Sequence, residues 1–458
     1  MTMVLLVIVL GLAAAGRTDT DIWGHMSFGL DMLRSRSFLW TDTYSFASDQ
    51  AWVNHEWAWE VVTAGIYRAG GLPALVALRA ALIGLVLWLV YRATDRRPGH
   101  IRLLTIGLIA IVCLPQWRST RPQIASLALF SLLLTNHRAP WLPLLFVVWA
   151  NVHGSWLLGL AALGVHAAFE RTTRSIVVAG VCALATLLNP YGPTLWTATI
   201  EGLSRGFQDI TEWRPIWSIA AGADALVLWL LLASALIALF SRVQRDVWSW
   251  TWVILTLAAA ANTRRLLAFP ALSAALLLAP RWIAPEPAMP VQWTPRRRAI
   301  FGGLLALSVA GAAIAVTPSL SCFPPLPELR APEPDAVAFL RTTPVTRAVV
   351  HFDYGEYAIF HLRDKLRVSM DNRHYTAYSD AAIKASDRFA AGQDPEYPDR
   401  IGADAVWWPS GDQRVLGGLE ARGWVKRFEG PRTVVLTKTP GDVVRGRDAF
   451  GTPCFPNP

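Results

Sequence analysis

Long uncharged apolar runs alternate with short polar segments along residues 1–317. The runs occupy residues 3–15, 73–93, 100–116, 123–135, 140–152, 155–169, 174–189, 223–241, 246–262, 265–280 and 299–317. Several are shorter than the roughly 20 residues that cross a full hydrocarbon core, so we expect tilting, burial or local bilayer thinning. The first run lacks a good small-residue cleavage site, so we interpret it as an uncleaved helix. The pattern predicts a polytopic α-helical membrane protein with about eleven spans.

Basic residues between these runs predict the orientation. With the N-terminus in the cytoplasm, five basic segments fall on the cytoplasmic side. These are residues 92–97, 137–138, 170–174, 242–245 and 296–298. This orientation requires that segment 57–69, which carries Glu60, does not span the membrane but lies at its interface or re-enters it. Everything after residue 317 is then extracytoplasmic.

The composition of the chain changes near Pro318, where the long apolar runs end and the density of charged residues becomes typical of a soluble protein. Such a segment is expected to fold in water. Period-two and helical patterns predict strands near 348–352, 367–370, 405–408, 424–428 and 433–437, and helices near 335–341, 378–389 and 413–422. We therefore predict a membrane domain at 1–317, with a large outer loop at 17–72, and a C-terminal extracytoplasmic α/β domain at 318–458.

Composition narrows the function classes. With 53% hydrophobic and 16% charged residues, the chain is too apolar for an ordinary soluble protein. The net charge of +9 is scattered between apolar segments, whereas a nucleic-acid-binding protein concentrates it on a soluble face. The sequence contains no P-loop motif, which argues against an ATP-driven pump. Membrane lipids are therefore expected partners, and nucleic acid is not.

Arginines also occur in segments that the orientation places outside. Arg118, Arg121, Arg264 and Arg265 stand there against the positive-inside trend. Basic pairs at the outer interface suit a lipid-linked phosphate. Contact with lipid headgroups or pairing with nearby carboxylates is the alternative interpretation.

The first outer loop begins with Asp19, Asp21 and His25 directly after a membrane helix. A carboxylate at the water–lipid boundary can act as a general base on an acceptor hydroxyl or hold a divalent cation on a phosphate. Alternatively, Asp19 or Asp21 caps the helix that follows.

Taken together, the arrangement resembles the GT-C superfamily of membrane glycosyltransferases, and most closely a bacterial group of glycosyltransferase-like membrane proteins. The resemblance covers nearly the full length through short motifs. These are Asp21-x-Trp23-x-His25, Asp42-x-x-Ser45-Phe46, His55-Glu56-Trp57, Arg121-Pro122-Gln123, Trp149-Ala150-Asn151-Val152-His153-Gly154, Asn189-Pro190-Tyr191-Gly192, Glu212-Trp213 and Arg264-Arg265. The chain departs from the superfamily at Ile22, where a second acid is expected, and this departure bears on metal binding and catalysis more than on fold.

The resemblance implies inverting transfer of a sugar from a polyprenyl phosphate, with Asp21 as the base and Asp19 as an auxiliary acid. The implied polar partners in the cavity are His25, His55 and Glu56. The implied phosphate contacts are Arg118, Arg121, His153, Arg264 and Arg265. His153 has an alternative role, a hydrogen bond to a backbone carbonyl. No cofactor is assigned, and a divalent cation such as Mg²⁺ or Mn²⁺ stays open.

Two features of the C-terminal part complete the predictions. Asp371 and Arg373 are candidate contacts for a glycan or a partner, or else a turn held by its own hydrogen bonds. Cys322 and Cys454 bracket the outer domain, and in an oxidising compartment they could form one disulfide worth roughly 4 kcal/mol. Two free thiols are the alternative.

The sequence therefore favours a transferase of the bacterial inner membrane that glycosylates an extracytoplasmic glycan, lipid or protein. The alternative is a non-catalytic subunit that handles lipid phosphates during transport or assembly of envelope polysaccharide. A shared fold does not by itself decide between them.

Overall fold

A computed structural model of the protein describes residues 1–95, 97–204, 211–219, 223–240, 246–281, 294–326, 332–446 and 454–457. Three basic residues used for the orientation, Arg96, Arg242 and Arg245, lie outside these ranges. The chain divides into two compact units. The first comprises Met1–Ala15 with Val76–Thr317, and the second comprises Gly16–Leu75 with Pro318–Pro458.

The described chain is mainly helical. Its α-helices are α1 (Thr2–Ala14), α2 (Asp21–Ser35), α3 (Trp57–Ala93), α4 (Gly99–Trp117), α5 (Gln123–Thr135), α6 (Leu142–Val152), α7 (Trp156–Glu170), α8 (Thr173–Ala185), α9 (Thr194–Ser204), α10 (Ala223–Phe240), α11 (Val247–Asn262), α12 (Ala268–Ser273), α13 (Pro295–Val316), α14 (Pro334–Thr342), α15 (Gly355–Leu362), α16 (Asp380–Ala390), α17 (Tyr397–Arg400) and α18 (Gln413–Glu420). The apolar runs of the sequence therefore form helices.

Within the described ranges, three helices are long and apolar enough to cross a membrane: α3, α4 and the segment Pro295–Leu320, which contains α13. The other apolar helices are shorter, at 10–17 residues: α1, α5, α6, α7, α8, α11 and the Ala225–Ile237 part of α10. The predicted run at 265–280 forms α12 followed by a π-helical turn at Ala274–Leu278, and both are buried. The number of eleven spans and their orientation remain predictions.

Helix α3 is interrupted near its middle. Gly70 and Gly71 have non-helical backbone angles, and φ of Gly71 is +62°, a conformation that favours glycine. Pro73 follows, and its ring removes a backbone hydrogen-bond donor from the helix. Residues 57–69, which the sequence analysis separated from the span beginning at 73, therefore form a helical segment of their own before the break.

The C-terminal residues form a small mixed sheet, as predicted. Its strands are β1 (Arg347–Val350), β2 (Arg367–Val368), β3 (Ala405–Pro409), β4 (Val425–Glu429), β5 (Thr433–Thr437) and β6 (Val444–Arg445). Among the described strands the order is β2-β1-β3-β5-β4-β6. The β1–β2, β1–β3 and β4–β6 pairs are parallel, and β5 is antiparallel to both β3 and β4.

Alternate residues of the central strands pack on opposite faces of this sheet, as the period-two pattern predicts. Val406 and Trp408 of β3 join a buried cluster with residues of α16, α17 and α18. Trp407, between them, packs against Tyr354 and against Tyr357 of α15, with ring centroids 5.7 and 6.2 Å away. The sheet is thus covered by helices on both faces.

The first loop belongs to the second unit. Tyr44 O accepts the Val368 N–H at 3.0 Å, and the Phe46 N–H donates to Val368 O at 3.1 Å, so the loop adds a bridge beside β2. Farther along, the Val53 N–H donates to Thr376 O at 3.2 Å. Residues 17–72 were predicted as an outer loop of the membrane domain, and in the structure residues 16–75 form one compact unit with the C-terminal segment.

Cys322 and Cys454 form a disulfide, with Cα atoms 5.6 Å apart and a sequence separation of 132 residues. Cys113 and Cys182 are free and buried. The double variant Cys322→Ser/Cys454→Ser should lower the free energy of unfolding by roughly 4 kcal/mol, because the bond restricts the unfolded chain. Thermal denaturation followed by tryptophan fluorescence measures the loss.

Thiol counting provides the control for this prediction. Denatured, unreduced protein should expose two reactive thiols, and reduction should raise the count to four. The variant Cys113→Ala/Cys182→Ala should expose none before reduction. Four reactive thiols in unreduced wild type would show that the bond does not form.

Candidate functional site

The predicted acidic residues lie at the start of α2. Thr20 occupies the N-cap position of α2, and Oδ1 of Asp19, one residue earlier, accepts the Ile22 N–H at 3.2 Å, so Asp19 binds a first-turn N–H as a capping side chain does. Asp21 stands in the first turn, where its charge complements the positive end of the helix dipole. Its Oδ1 accepts hydrogen bonds from Thr20 Oγ1 at 2.9 Å and from Asn372 Nδ2 at 2.7 Å. Asp21 is therefore held from both its own loop and the C-terminal segment.

One turn farther along α2, His25 faces two glutamates. Its Nδ1 is 3.5 Å from Oε1 of Glu60, and its Nε2 is 3.8 Å from Oε2 of Glu56. Nε2 of His55 is 3.5 Å from the other oxygen of Glu56. Burial lowers the pKa of His25, but the hydrogen bond to Glu60 and the charges of Glu56, Glu60 and Asp21 outweigh burial and raise it to about 9. His25 is therefore a cation at neutral pH, and the structure brings it together with the predicted partners His55 and Glu56.

A further carboxyl group approaches α2 from the C-terminal segment. Oε2 of Glu356, on α15, accepts the Gly24 N–H at 3.1 Å. A Cβ atom at Gly24 would lie 2.2 Å from the Glu356 carboxyl group, so this approach requires glycine. Burial and the charge of Asp21 raise the pKa of Glu356 well above its usual range. Burial therefore favours the protonated form of Glu356, close to the start of α2.

This protonation state predicts a pH-dependent stability. A folded-state pKa above the unfolded value gives a contribution that is complete below about pH 4.5 and is lost as the pH rises through the folded value. Gln resembles the protonated acid and does not ionise. We expect Glu356→Gln to raise the denaturation temperature at pH 8 by roughly 2–4 °C for each kcal/mol regained, and to leave it unchanged at pH 4.5.

Thermal scans at both pH values check this expectation, with Glu420→Gln as the control because the side chain of Glu420 is 49% exposed. A variant less stable than wild type at pH 8 would mean that folding does not raise the pKa of Glu356.

Asp371 and Arg373 form a buried network. Nε and Nη2 of Arg373 donate to the two oxygens of Asp371 at 2.8 and 2.6 Å, and Nη1 lies 2.8 Å from Oδ1 of Asp42. The guanidinium also lies 4.6 to 5.5 Å from the centroids of three rings: Phe28, Tyr44 and Trp52. Asp371 is fully buried and Arg373 is 8% exposed. The geometry therefore favours the turn alternative for this pair over contact with a glycan.

In the first unit, two of the predicted arginines meet at a carboxylate. Nη1 of Arg121 is 3.4 Å, and Nη1 of Arg265 is 2.8 Å, from the same oxygen of Glu212. Arg265 also lies over the ring of Trp213, 5.3 Å from its centroid. The carboxylate-pairing alternative thus describes both side chains. Two guanidinium groups nevertheless share one carboxylate, so this trio is net positive.

A buried arginine fixes the turn that carries Arg118 and Arg121. Arg79 on α3 is fully buried. It donates to several backbone carbonyls, among them Ala13 at 2.7 Å, Trp117 at 2.6 Å and Ser119 at 2.6 Å. These carbonyls lie at the C-terminal ends of α1 and α4, where the helix dipole favours a cation. The side chain of Arg118 itself is exposed, and Arg264 donates its backbone N–H to Arg214 O at 3.2 Å.

His153 follows α6 and is bound by two serines. Its Nδ1 is 2.9 Å from Oγ of Ser126 and from Oγ of Ser155, and it accepts the Ser155 N–H at 3.3 Å. Because Nδ1 accepts, the neutral ring carries its proton on Nε2. In the structure Nδ1 of His153 therefore contacts two serine hydroxyl groups.

Several contributors were missed by sequence reasoning: Arg79, Glu60, Glu212, Glu356 and Asn372. Glu212 belongs to the Glu212-Trp213 motif of the sequence analysis, and this motif could have indicated a carboxylate partner for the outer arginines. Glu356 and Asn372 lie more than 330 residues from their partners on α2, and no local pattern links them.

The described residues contain no group of three or more His, Cys, Asp or Glu side chains placed to hold a metal ion. The acids at the start of α2 do not form such a group, since Asp19 caps the helix and Asp21 binds Thr20 and Asn372. The divalent cation considered above therefore has no assigned ligands among the described residues, and it stays a prediction.

No protein-family model and no curated protein matches this chain. Solved structures do match. The apo oligosaccharyltransferase of Archaeoglobus fulgidus has a TM-score of 0.53 and 12% identity, covering 97% of this chain and 75% of the other. The oligosaccharyltransferase AglB of the same organism, in complex with an inhibitory peptide and a dolichol-phosphate, has a TM-score of 0.52 and 12% identity, covering 89% and 69%.

A third structure is the Archaeoglobus fulgidus oligosaccharyltransferase tethered by a disulfide to an acceptor peptide with the NVT sequon. It has a TM-score of 0.50 and 12% identity, covering 100% of this chain and 75% of the other. These oligosaccharyltransferases belong to the GT-C superfamily. At 12% identity these matches show the fold alone: the chain shares the fold of these oligosaccharyltransferases, as the resemblance to the GT-C superfamily implied.

Proposed function

We propose that this chain is a membrane glycosyltransferase that moves a sugar from a polyprenyl-phosphate donor to an extracytoplasmic glycan, lipid or protein. The observation that carries the proposal is the carboxylate of Asp21, fixed in the first turn of α2 by Thr20 and Asn372, in a chain with the GT-C fold. Structures with this fold contain a dolichol-phosphate or an acceptor peptide, which supports a lipid-linked donor and a separate acceptor.

Asp21 is the proposed general base. It takes the proton of the acceptor's nucleophilic group as that group attacks the anomeric carbon of the sugar. The bond between the anomeric carbon and the phosphate oxygen breaks on the opposite face, its electron pair stays with the polyprenyl phosphate, and the configuration inverts. The cationic His25 lies one turn away and favours the ionised form of nearby carboxylates.

The arginine pair at Glu212 is the proposed donor-phosphate site. The departing phosphate gains negative charge, which fixed cations stabilise in the transition state. Arg121 and Arg265 are held by one carboxylate, so a phosphate can replace Glu212 as their partner without rebuilding the turn. Arg118, His153 and Arg264 are proposed as additional phosphate contacts. The protein is proposed to lie in a bacterial inner membrane, with its N-terminus cytoplasmic and its C-terminal part extracytoplasmic.

The second candidate function is lipid-phosphate handling without chemistry, as in a transport or assembly subunit for envelope polysaccharide. The cap formed by Asp19 and the arginine pairing with Glu212 favour it, because both give structural roles to residues of the proposed site.

A substrate panel tests the proposal. Purified protein in lipid is incubated with radiolabelled polyprenyl-phosphate sugars of several kinds and with crude envelope acceptors. We expect label in a glycan, lipid or protein fraction for at least one donor, with inverted anomeric configuration. Retained configuration would contradict Asp21 as a base.

A further inference from the structure

We propose that Asn372, supplied by the C-terminal segment, is the positioning residue for Asp21. The inference rests on the proposed function, in which Asp21 is the base. The predicted glycan or partner contact concerned Asp371 and Arg373 and gave no role to Asn372, which lies between them. Nδ2 of Asn372 donates to Oδ1 of Asp21 at 2.7 Å, across 351 positions of sequence.

The turn that presents Asn372 is rigid. Its neighbours Asp371 and Arg373 are joined by two side-chain hydrogen bonds, and the Arg373 N–H also donates to Oδ1 of Asp371 at 3.0 Å. Tyr378 OH donates to Oδ2 of Asp371 at 2.8 Å. These contacts fix the backbone on both sides of Asn372. The amide therefore meets Asp21 in a preset orientation, which is what a positioning residue requires.

The amide nitrogen of Asn372 binds the carboxylate of Asp21, whereas the amide oxygen of Asn372 is left without a partner among the described residues. Oδ1 of Asn372 is buried and has no hydrogen-bond partner in the described residues. A buried acceptor without a hydrogen-bond partner is destabilising. The opposite amide orientation would place this oxygen against the carboxylate of Asp21. The observed orientation thus favours the ionised, oriented form of Asp21.

Other groups facing Asp21 act in the same neighbourhood. The charge of Asp21 raises the pKa of His25 on α2 and of Glu356 on α15. The charges of Asp371 and Asp19 also raise the pKa of Glu356, and that of Arg373 lowers it. Burial favours the protonated form of Glu356, which limits the negative charge that this residue adds beside Asp21. Among these groups, Asn372 contributes a direct neutral donor, and its removal changes Asp21 without changing the net charge of the site.

The experiment reads the protonation of Asp21 directly in the full-length protein. Carbodiimide with an added amine labels protonated carboxyl groups, and mass spectrometry of the Asp21 peptide gives the labelled fraction from pH 3 to 9. We expect Asn372→Leu to move the midpoint upward by about one pH unit, because a hydrogen bond to the ionised form is lost. Transfer should fall by about 10-fold to 100-fold in kcat, with an unchanged KM for the donor.

Two further variants make the result decisive. Asn372→Asp nearly preserves the shape of the side chain and adds a like charge, so it should move the midpoint at least as far. Asn457→Leu is the matched control, since Asn457 is exposed and belongs to the same unit; its midpoint should equal that of wild type.

The outcomes separate this inference from the proposed function. A midpoint that stays at the wild-type value in both Asn372 variants overturns the inference, whatever the transfer rate. A shifted midpoint together with full transfer by Asp21→Asn upholds the contact between Asn372 and Asp21 and overturns the proposed role of Asp21 as a base.

Discussion

Replacing Asp21 by Asn should lower the rate of sugar transfer by about 10²-fold to 10⁴-fold, the usual contribution of a general base. The amide retains the size of the carboxylate and its hydrogen bond with Thr20 Oγ1, but it cannot take up a proton at neutral pH. The affinity for the donor should change by less than about twofold, because Asp21 has no assigned contact with the donor. Initial rates and donor binding are measured on the same preparations.

Two comparisons keep this result specific. Asp364→Asn changes an exposed carboxylate in the same unit and should leave the rate unaltered. Asp19→Asn should lower the rate by less than about 10-fold, since Asn is an equally good cap for α2. Equal rates for wild type and Asp21→Asn would remove Asp21 from the mechanism.

The second large effect concerns the arginine pair in the first unit. Arg265→Met should reduce transfer by about 10²-fold to 10³-fold and weaken donor binding, because a fixed cation at the departing phosphate is lost. Glu212→Gln should instead strengthen donor binding, since it removes the carboxylate that Arg121 and Arg265 share. Binding of a polyprenyl-phosphate sugar and its turnover are both measured.

Arg138→Met is the matched control, because Arg138 also forms an arginine–glutamate pair in the first unit, 2.6 Å from Glu170. It should leave donor binding unchanged. If Arg265→Met binds the donor as wild type does, and Glu212→Gln only destabilises the protein, the trio is a structural ion-pair network and not a phosphate site.

Local patterns in the sequence predicted much of the fold. Five strands of the C-terminal sheet, β1 to β5, and the helices near 335–341, 378–389 and 413–422 were predicted from period-two and helical patterns, and the structure contains an element at each of these places. Strand β6 and helices α15 and α17 were not predicted. The pairing of Cys322 with Cys454 was one of two alternatives at the sequence level, and the structure contains the bond. Secondary structure could thus be predicted because the pattern of neighbouring residues largely determines it.

Long-range packing was not readable in this way. The grouping of residues 16–75 with the C-terminal segment depends on bridges such as Ser45 with Val368, which are more than 300 positions apart. Glu356 and Asn372 bind α2 from the C-terminal segment, and no local sequence pattern predicts these contacts.

Buried charges were equally hidden from local patterns. Arg79 lies inside an apolar run and binds the carbonyl ends of two helices. Glu60 was considered only as a charge that argues against a span, although it is 3% exposed and faces His25. Among the predicted site residues, those that shared a short motif, such as His55 with Glu56, do meet in the structure. Other site residues, such as Arg118, were predicted only to lie on the same side of the membrane, and their local sequence did not predict their contacts.

A single-turnover experiment tests most directly whether the chain is a transferase. Wild-type protein in lipid is loaded with a radiolabelled polyprenyl-phosphate sugar, excess donor is removed, and acceptor is added. The proposed function predicts that bound label passes to the acceptor and that free polyprenyl phosphate appears in equal amount, with Asp21→Asn holding its donor unreacted. Label that stays on the lipid in wild type, despite tight binding across the donor and acceptor panel, would contradict the transferase and favour lipid-phosphate handling.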